Sequence, residues 1–384
     1  MPPRRILSPP SIWDVAQVAE VFRESGIKSS HVARLYRHLI RNPGNGWSDV
    51  DNFPEAAAGV LDANFSYLTS TLQQVQTSSN KETTKLLIRL QDGMQVEAVI
   101  MQYDTTGKGR ESPLTGHARA TLCVSSQVGC QMGCTFCATG SMGLKGNLTT
   151  GEILEQLVHA NAVMPIRNIV FMGMGEPLNN YAAVREAVRM MTDTGMGFGL
   201  RRSAVTVSTV GVVPRIADLA ADLPGVSLAL SLHAPTQELR QRIVPSAKAY
   251  KLEKLIAQID SYQQITRRRV FVEYVMLAGV NDGADQAHQL GQLLQGRDMI
   301  INLIPWNPVY SPDISFEAPA SSSLAEFQRI VRNDYGLPCT IRQEKGQDIS
   351  GACGQLVIEQ KSGQAIKSPT RDIEELSRKP IAAA

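Results

Sequence analysis

Hydrophobic positions change their spacing along the chain at about residue 84. In residues 12–90 they indicate mainly helices, because apolar side chains recur every three or four residues. One such helix face contains Val32, Leu35, Tyr36, Leu39 and Ile40. Residues 84–89 and 95–101 instead alternate as strands do, with the turn dipeptide Asp92-Gly93 between them. The pattern predicts a small helical region followed by a β-hairpin.

From residue 118 onward, apolar strands alternate with amphipathic helices. The predicted strands are 118–124, 169–172, 204–208, 226–232, 270–276 and 299–304. The predicted helices are 151–163, 181–194, 213–221, 252–264, 285–294 and 322–334. Such alternation is typical of a parallel sheet, and six units indicate a partial (β/α)6 barrel rather than an eight-unit one. Functional groups are then expected where the strands end.

The fold class predicted from these patterns is α/β, with four regions. They are an N-terminal helical accessory domain at 1–83, a β-hairpin and connecting loop at 84–117, a catalytic barrel at 118–360 and a flexible tail at 361–384. The tail is assigned because its Lys, Ser and Pro residues and its terminal Ala run carry little apolar periodicity. We expect the N-terminal domain to help hold a partner.

Composition narrows the class of protein. With 43% hydrophobic and 19% charged residues over 384 positions, the chain is globular rather than disordered or coiled-coil. It has 38 Lys and Arg against 36 Asp and Glu, so net charge alone does not indicate nucleic-acid binding. No apolar run approaches the ~20 residues of a membrane span, and no secretory signal opens the chain, so we expect no membrane partner. We expect a cytoplasmic protein; an organelle is the alternative, because no acidic residue precedes Asp14.

The cysteines carry the strongest chemical signal. Cys130, Cys134 and Cys137 form a C-x3-C-x2-C pattern on a loop after the first barrel strand. Three thiolates so placed can hold three irons of a 4Fe-4S cubane and leave the fourth iron open to a chelating substrate. A closed zinc site usually needs four ligands, and the nearest fourth candidate is Cys123. A zinc-stabilised RNA-binding module is therefore the weaker alternative.

The segment CVSSQVGCQMGCTFCATG resembles the radical S-adenosylmethionine (SAM) superfamily and is similar to its ribosomal RNA adenine-C2 methyltransferases, of the dual-specificity rRNA/tRNA type. The resemblance extends from about residue 90 to 358. It includes FMGMGEPLNN, VTVSTVGVVP, LALSLHAPTQELRQRIVP, FVEYVMLAGVND, NLIPWNP and DISGACGQL.

The resemblance implies a radical SAM barrel with two cofactors, a 4Fe-4S cluster and SAM. Cys130, Cys134 and Cys137 would ligate the cluster, and one electron would cleave SAM to a 5'-deoxyadenosyl radical. The electron donor would be a protein such as flavodoxin or ferredoxin, and we expect a monomer. Matching positions imply that the SAM pocket contains Gly175, Glu176, Ser208, Ser231, Leu232, His233 and Asn307. Read alone, Gly175 and Glu176 are as well explained by a turn, and His233 by a structural role.

The same resemblance implies how a methyl group reaches adenine C2, an electron-poor carbon that cannot attack SAM directly. Cys353 would carry the methyl group, and Cys123 would resolve the protein–RNA adduct by forming a disulfide. Glu97 would accept the proton. Without the resemblance, each cysteine reads as a buried apolar residue and Glu97 as a solvated one. We predict that Cys123 and Cys353 meet at the mouth of the barrel.

The predicted partner is RNA, either rRNA, tRNA or both. Cations that can neutralise phosphates are Arg201, Arg202, Arg240, Arg242, Lys248, Lys251, Lys254, Arg267, Arg268 and Arg269. Two alternatives stay open. One is an adenine-C8 methyltransferase of the same mechanism, and the other is a non-catalytic RNA-binding or assembly factor that retains the fold.

Overall fold

A computed structural model describes residues 5–103, 119–309 and 315–356. Its strands are β1 (Thr71–Thr77), β2 (Thr83–Arg89), β3 (Gln95–Tyr103), β4 (Arg119–Cys123), β5 (Gln127–Gly129), β6 (Leu144–Asn147), β7 (Asn168–Phe171), β8 (Val205–Thr209), β9 (Ser227–Ser231), β10 (Val270–Met276), β11 (Met299–Pro305) and β12 (Cys339–Ile341).

The first three helices form much of the N-terminal region, and the later helices connect the strands of the sheet. The helices are α1 (Val15–Glu24), α2 (Ser30–Arg41), α3 (Glu55–Asn64), α4 (Ala138–Ser141), α5 (Thr150–Val163), α6 (Tyr181–Thr192), α7 (Val213–Asp222), α8 (Gln237–Ile243), α9 (Leu252–Thr266), α10 (Ala284–Leu294) and α11 (Ser321–Arg329). No helix in the described ranges is long and apolar enough to cross a membrane.

Ten strands form one sheet in the order β1-β2-β3-β4-β7-β8-β9-β10-β11-β12. Strands β1 to β4 pair antiparallel, and β4 to β12 pair parallel along that order. Parallel strands joined through helices place their carboxyl ends at one edge of the barrel. The loops after those ends therefore share one mouth.

The six predicted strand and helix units are confirmed, and with them the α/β class with its mostly parallel sheet. The sheet differs from the prediction in two places. A seventh parallel strand, β12, follows the sixth unit, and β1 lies inside the region 1–83 that was expected to be helical. The predicted hairpin is accordingly the second half of a three-stranded meander that runs into the barrel sheet. The predicted loop at 106–117 and tail at 361–384 lie outside the described residues.

The N-terminal region packs directly on the barrel. The Trp13 and Phe198 rings lie 5.7 Å apart, centroid to centroid. The N-terminus of α5 receives two further contacts from this region: Asp14 Oδ1 accepts from the Gly151 N–H at 2.7 Å, and Arg5 pairs with Glu152 at 2.6 Å. Because carboxylates are favourable at helix N-termini, Asp14 helps fix where the barrel begins its first helix. The two regions share one hydrophobic core.

Candidate functional site

The three-cysteine loop lies at the barrel mouth between β5 and α4. Cys137 immediately precedes α4, and its N–H donates to Cys134 O at 3.2 Å. The Thr135 N–H donates to Ile243 O at 3.0 Å, which ties the loop to α8. The loop is thus held by backbone hydrogen bonds, and all three side chains line one cavity of about 840 Å³. We call it the three-cysteine cavity.

The donor set of this cavity suits an iron–sulfur cluster better than a single ion. Burial raises the pKa of the Cys130 thiol to about 12 and that of Cys134 well above its ordinary value, so their thiolates need a cationic partner. In the described part of the chain, no three His, Cys, Asp or Glu side chains converge as ligands of one metal ion. A cubane accepts wider spacing, because each cysteine binds a different iron.

Gly175 and Glu176 form a rigid turn on the wall of the same cavity. At φ 98°, Gly175 has a conformation that favours glycine, and a Cβ there would lie 2.5 Å from Gln127 Cβ. The two Glu176 carboxylate oxygens accept from the Leu178 and Val210 N–H groups, each at 2.9 Å. Burial raises the pKa of Glu176 to about 7. The carboxylate therefore fixes the backbone, and its remaining lone pairs can accept from a ligand.

Three other predicted residues line this cavity from neighbouring strands. Ser208 and Ser231, at the ends of β8 and β9, place their hydroxyl oxygens 3.1 Å apart. His233 has the left-handed φ of 62°, and its Nδ1 accepts from the Val275 N–H at 3.1 Å. Burial lowers the pKa of His233 to about 3, so the ring is neutral with its proton on Nε2. The Leu232 side chain is buried in the core and does not line the cavity.

A second cavity, of about 710 Å³, contains both distant cysteines, and we call it the Cys123–Cys353 cavity. Cys123 ends β4 and Cys353 lies in the chain after β12, and the fold brings both to the lining of this cavity. Burial raises the pKa of Cys123 to about 12. Asn307 belongs to this cavity, where its Nδ2 donates to Cys353 O at 2.9 Å. Cys353 also lines the three-cysteine cavity, and it therefore faces both spaces.

Glu97 lies apart from the lining of both cavities. It is buried on β3 and pairs with Lys85 across the adjacent strand, Nζ to Oε1, at 3.0 Å. Two positions along the same strand face, Val99 does line the Cys123–Cys353 cavity and pairs in register with Cys123. The solvated position that the alternation alone suggested for Glu97 is wrong, because the sheet and Lys85 cover it.

The prediction that Arg240 contacts an RNA phosphate is wrong. Arg240 is 1% exposed, and its guanidinium donates to the carbonyl oxygens of Leu232 and Val210. It braces the loops after β9 and β8 and cannot reach an RNA backbone. Arg269 pairs with Asp298 at 2.6 Å but stays half exposed.

Two residues at the site were missed from the sequence. Arg342, directly after β12, lines both cavities, and Glu273 on β10 lines the three-cysteine cavity. Glu273 lay inside the quoted FVEYVML segment as the single charged residue of an apolar strand, which was a usable signal. Arg342 had no such signal, because its position depends on the unpredicted strand β12.

Comparison with known proteins gives a consistent family. The model of the radical SAM superfamily matches residues 124–290. The "Ribosomal RNA large subunit methyltransferase N" of Nitrosopumilus maritimus is 44% identical over 284 residues, which is 73% of this chain and 78% of the relative. The "Probable dual-specificity RNA methyltransferase RlmN" of Rhodopirellula baltica is 38% identical over 349 residues, 90% of this chain and 89% of the relative.

A solved structure extends the likeness to three dimensions. A radical SAM methyltransferase from Sphaerobacter thermophilus is 37% identical and superposes with a TM-score of 0.81. The match covers 91% of this chain and 99% of that one. The N-terminal helices, the meander and the barrel therefore occur together in a protein of the same fold.

Proposed function

This chain belongs to the RNA methyltransferases of the radical SAM superfamily, and on that premise we propose that it transfers a methyl group from SAM to C2 of an adenine in rRNA, tRNA or both. The observation that carries the proposal is that Cys353 lines both the three-cysteine cavity and the Cys123–Cys353 cavity. A side chain in that position can receive a group on one side and deliver it on the other.

The three-cysteine cavity is the proposed cofactor site. Cys130, Cys134 and Cys137 would hold a 4Fe-4S cluster, which when bound supplies a single electron to SAM. Ser208 and Ser231 offer hydroxyl groups for a polar ligand such as the SAM ribose. The turn at Gly175 lets backbone approach the ligand closely, since no side chain intervenes.

Cys353 is the proposed methyl carrier. Its thiolate would attack the methyl carbon of one SAM, forming a carbon–sulfur bond and displacing S-adenosylhomocysteine. Loss of a hydrogen atom from that S-methyl group to the 5'-deoxyadenosyl radical of a second SAM would give a methylene radical, which would add to adenine C2 and join RNA to protein. Asn307 supports this role by fixing the Cys353 backbone.

Cys123 is the proposed resolving residue. Once the adduct radical has given one electron to the redox partner and lost the C2 proton, the Cys123 thiolate would attack the sulfur of Cys353 and form a disulfide. The sulfur–methylene bond would break, the methylene carbon would take up a proton to become the methyl group of the released base, and an external reductant would restore both thiols. Glu97 is proposed as the acceptor of the C2 proton. Because Glu97 lies behind Val99 and pairs with Lys85, that transfer needs a relay or a local movement.

The partners follow from the chemistry. The target adenine must leave its stack to enter the Cys123–Cys353 cavity, so an unpaired or loop nucleotide is the proposed substrate. Exposed Arg201, Arg202 and Arg267 are candidates for phosphate contacts. We propose a monomer that works in the cytoplasm, where it meets both RNAs, and that receives electrons from flavodoxin or ferredoxin.

The test is anaerobic reconstitution of the protein with iron, sulfide, SAM, a reductant and bulk RNA, followed by nucleoside mass spectrometry. The expected product is 2-methyladenosine. If 8-methyladenosine forms instead, the target carbon is wrong, and if neither forms while SAM is cleaved, the proposed substrate is wrong.

A further inference from the structure

Arg342 occupies a fixed position between two walls of the barrel. Its backbone N–H donates to Leu303 O at 2.8 Å, which continues the parallel pairing of β11 and β12. Its guanidinium reaches across the mouth and donates to Met101 Sδ on β3 at 3.7 Å. The side chain therefore bridges the last strand and the meander, and it forms part of the lining of both cavities.

Most donors of this guanidinium have no acceptor within the described residues. An arginine carries five N–H donors, and the one recorded side-chain hydrogen bond goes to a weak thioether acceptor. No ion pair within 4.0 Å includes Arg342 in the described ranges. Attraction to the Cys353 thiolate, the largest influence, raises the pKa of Arg342, so the group stays cationic. Donors that face a cavity in this way are available to a ligand that accepts hydrogen bonds.

The same wall contains a second polar group, the Glu273 carboxylate, one oxygen of which lacks a hydrogen-bond partner among the described residues. Glu273 is 5% exposed, and its Oε2 has no hydrogen-bond partner, while Oε1 accepts from Asn302 Nδ2 at 2.9 Å. Thr340 in turn donates to Asn302 Oδ1 at 2.7 Å. Glu273, Asn302 and Thr340 stand in register on three adjacent strands, β10, β11 and β12. The Glu273 carboxylate in this row lies close enough to Arg342 that its negative charge helps to raise the pKa of the guanidinium.

We propose that Arg342 donates a hydrogen bond to a ring nitrogen of the target adenine, N1 or N3, and activates C2 for radical addition. The inference rests on the proposed function, because it assumes that C2 approaches Cys353 in the Cys123–Cys353 cavity. Adenine C2 lies between N1 and N3, and both are hydrogen-bond acceptors. A base that presents C2 to Cys353 therefore presents an acceptor on either side, to a cavity that Arg342 lines.

The chemistry of the addition explains the benefit. The methylene radical forms a carbon–carbon bond using its own electron and one electron of the C2–N π bond. The other electron of that bond stays on the ring, largely on nitrogen. A charged donor placed at that nitrogen before the reaction stabilises the electron density that develops there.

The experiment measures adduct formation in a Cys123→Ala background, where the RNA is expected to stay on Cys353. Three RNAs would differ at the target position, which carries adenosine, 1-deazaadenosine or 3-deazaadenosine. Each deaza base lacks one of the two acceptors. Arg342→Met removes the donors at similar length, and Arg342→Lys keeps a charge. Arg329→Met is the matched control, since Arg329 is half exposed on α11, pairs with Glu326 and lines neither cavity. Methyl loading of Cys353, read by peptide mass spectrometry, precedes each reaction.

One deaza RNA is expected to slow the Arg342 protein about tenfold to hundredfold, the range of one charged hydrogen bond. Arg342→Met is expected to load Cys353 normally, to react with native RNA slower by the same factor, and to show no further loss with that deaza RNA. Arg342→Lys is expected to fall between, and Arg329→Met to match the unsubstituted protein.

Three results would overturn the assignment. The first is full sensitivity to the deaza base in Arg342→Met, and the second is no sensitivity in the unsubstituted protein. The third is failure of Arg342→Met to load Cys353, which would place its action on the thiol. A protein with Arg342 intact that forms no adduct on native RNA would instead contradict the proposed function.

Discussion

The three-cysteine cavity and the Cys123–Cys353 cavity share a wall but are assembled differently. The first takes its cysteines from a single loop of eight residues and its turn from Gly175 and Glu176. These lining residues therefore lie in short contiguous segments of the sequence. The second takes Cys123 from β4 and Cys353 and Arg342 from the chain after the last helix. A cofactor site can thus be read from spacing, whereas a site that handles a macromolecular substrate depends on which strands become neighbours.

Removing a ligand from the three-cysteine loop is expected to have the largest effect, because both cavities lose their function together. Cys134→Ala should lower bound iron below that of the unsubstituted protein and abolish SAM cleavage and RNA methylation. Iron analysis and 5'-deoxyadenosine release measure the loss. Cys339→Ala is the matched control, since Cys339 is buried on β12 and lines neither cavity. Equal iron loss in the control would show a general folding defect.

Substituting Cys353, the proposed methyl carrier, or Cys123, the proposed resolving residue, is expected to separate the functions of the two cavities. Cys353→Ala should abolish RNA methylation and leave iron binding intact, because the three cluster ligands are untouched. Cys123→Ala should instead accumulate RNA covalently attached to the protein, visible as a shifted band on a denaturing gel. Free release of methylated RNA by Cys353→Ala would refute the carrier role.

Gly175→Ala is expected to lower the affinity of the three-cysteine cavity for SAM and to leave the Cys123–Cys353 cavity unchanged. The new Cβ would meet Gln127 at 2.5 Å on a backbone that favours glycine, so the turn must shift. Strain of about 1–3 kcal/mol corresponds to a loss of about fivefold to 150-fold in SAM affinity. Equilibrium binding of SAM measures it, and the affinity for RNA should stay unchanged. Gly199→Ala, at a positive φ in open space, controls for the strain itself.

Asp14→Asn supplies a reference outside both cavities and is expected to have the smallest effect on activity. Burial raises the pKa of Asp14 to about 6, so between about pH 4 and 6 the folded state holds a proton that the unfolded chain has released. Stability should therefore fall as pH rises through this window. Asn keeps an oxygen for the Gly151 N–H, and it should raise the free energy of unfolding at pH 7 by about 1–3 kcal/mol. Below pH 4 the two proteins should unfold alike in urea titrations.

The contrast between the two cavities also explains which parts of the fold and the site could be predicted from the sequence. Strand β10 (Val270–Met276) was placed to the residue, and the other five predicted barrel strands to within one residue at each end, because their apolar runs are bounded by helices. Strand β1 was missed since polar residues occupy both of its faces, and β12 since three residues carry no period. The proposed cluster ligands follow from spacing on one loop. The positions of Arg342 and Glu273 at the cavities do not, because they arise from register between strands that are distant in sequence.

The contacts of the last described segment have a consequence for how the protein is made. Gly354 O accepts from the Ala138 N–H at 2.8 Å, and Leu356 O accepts from Thr139 Oγ1 at 2.6 Å, so this segment closes over the three-cysteine loop. During translation every barrel strand leaves the ribosome before Cys353 does. A nascent or truncated chain that ends after Ile341 would already contain the three proposed cluster ligands but would lack the proposed methyl carrier. On the proposed function, completion of the polypeptide is therefore the step that adds methyl transfer to SAM cleavage.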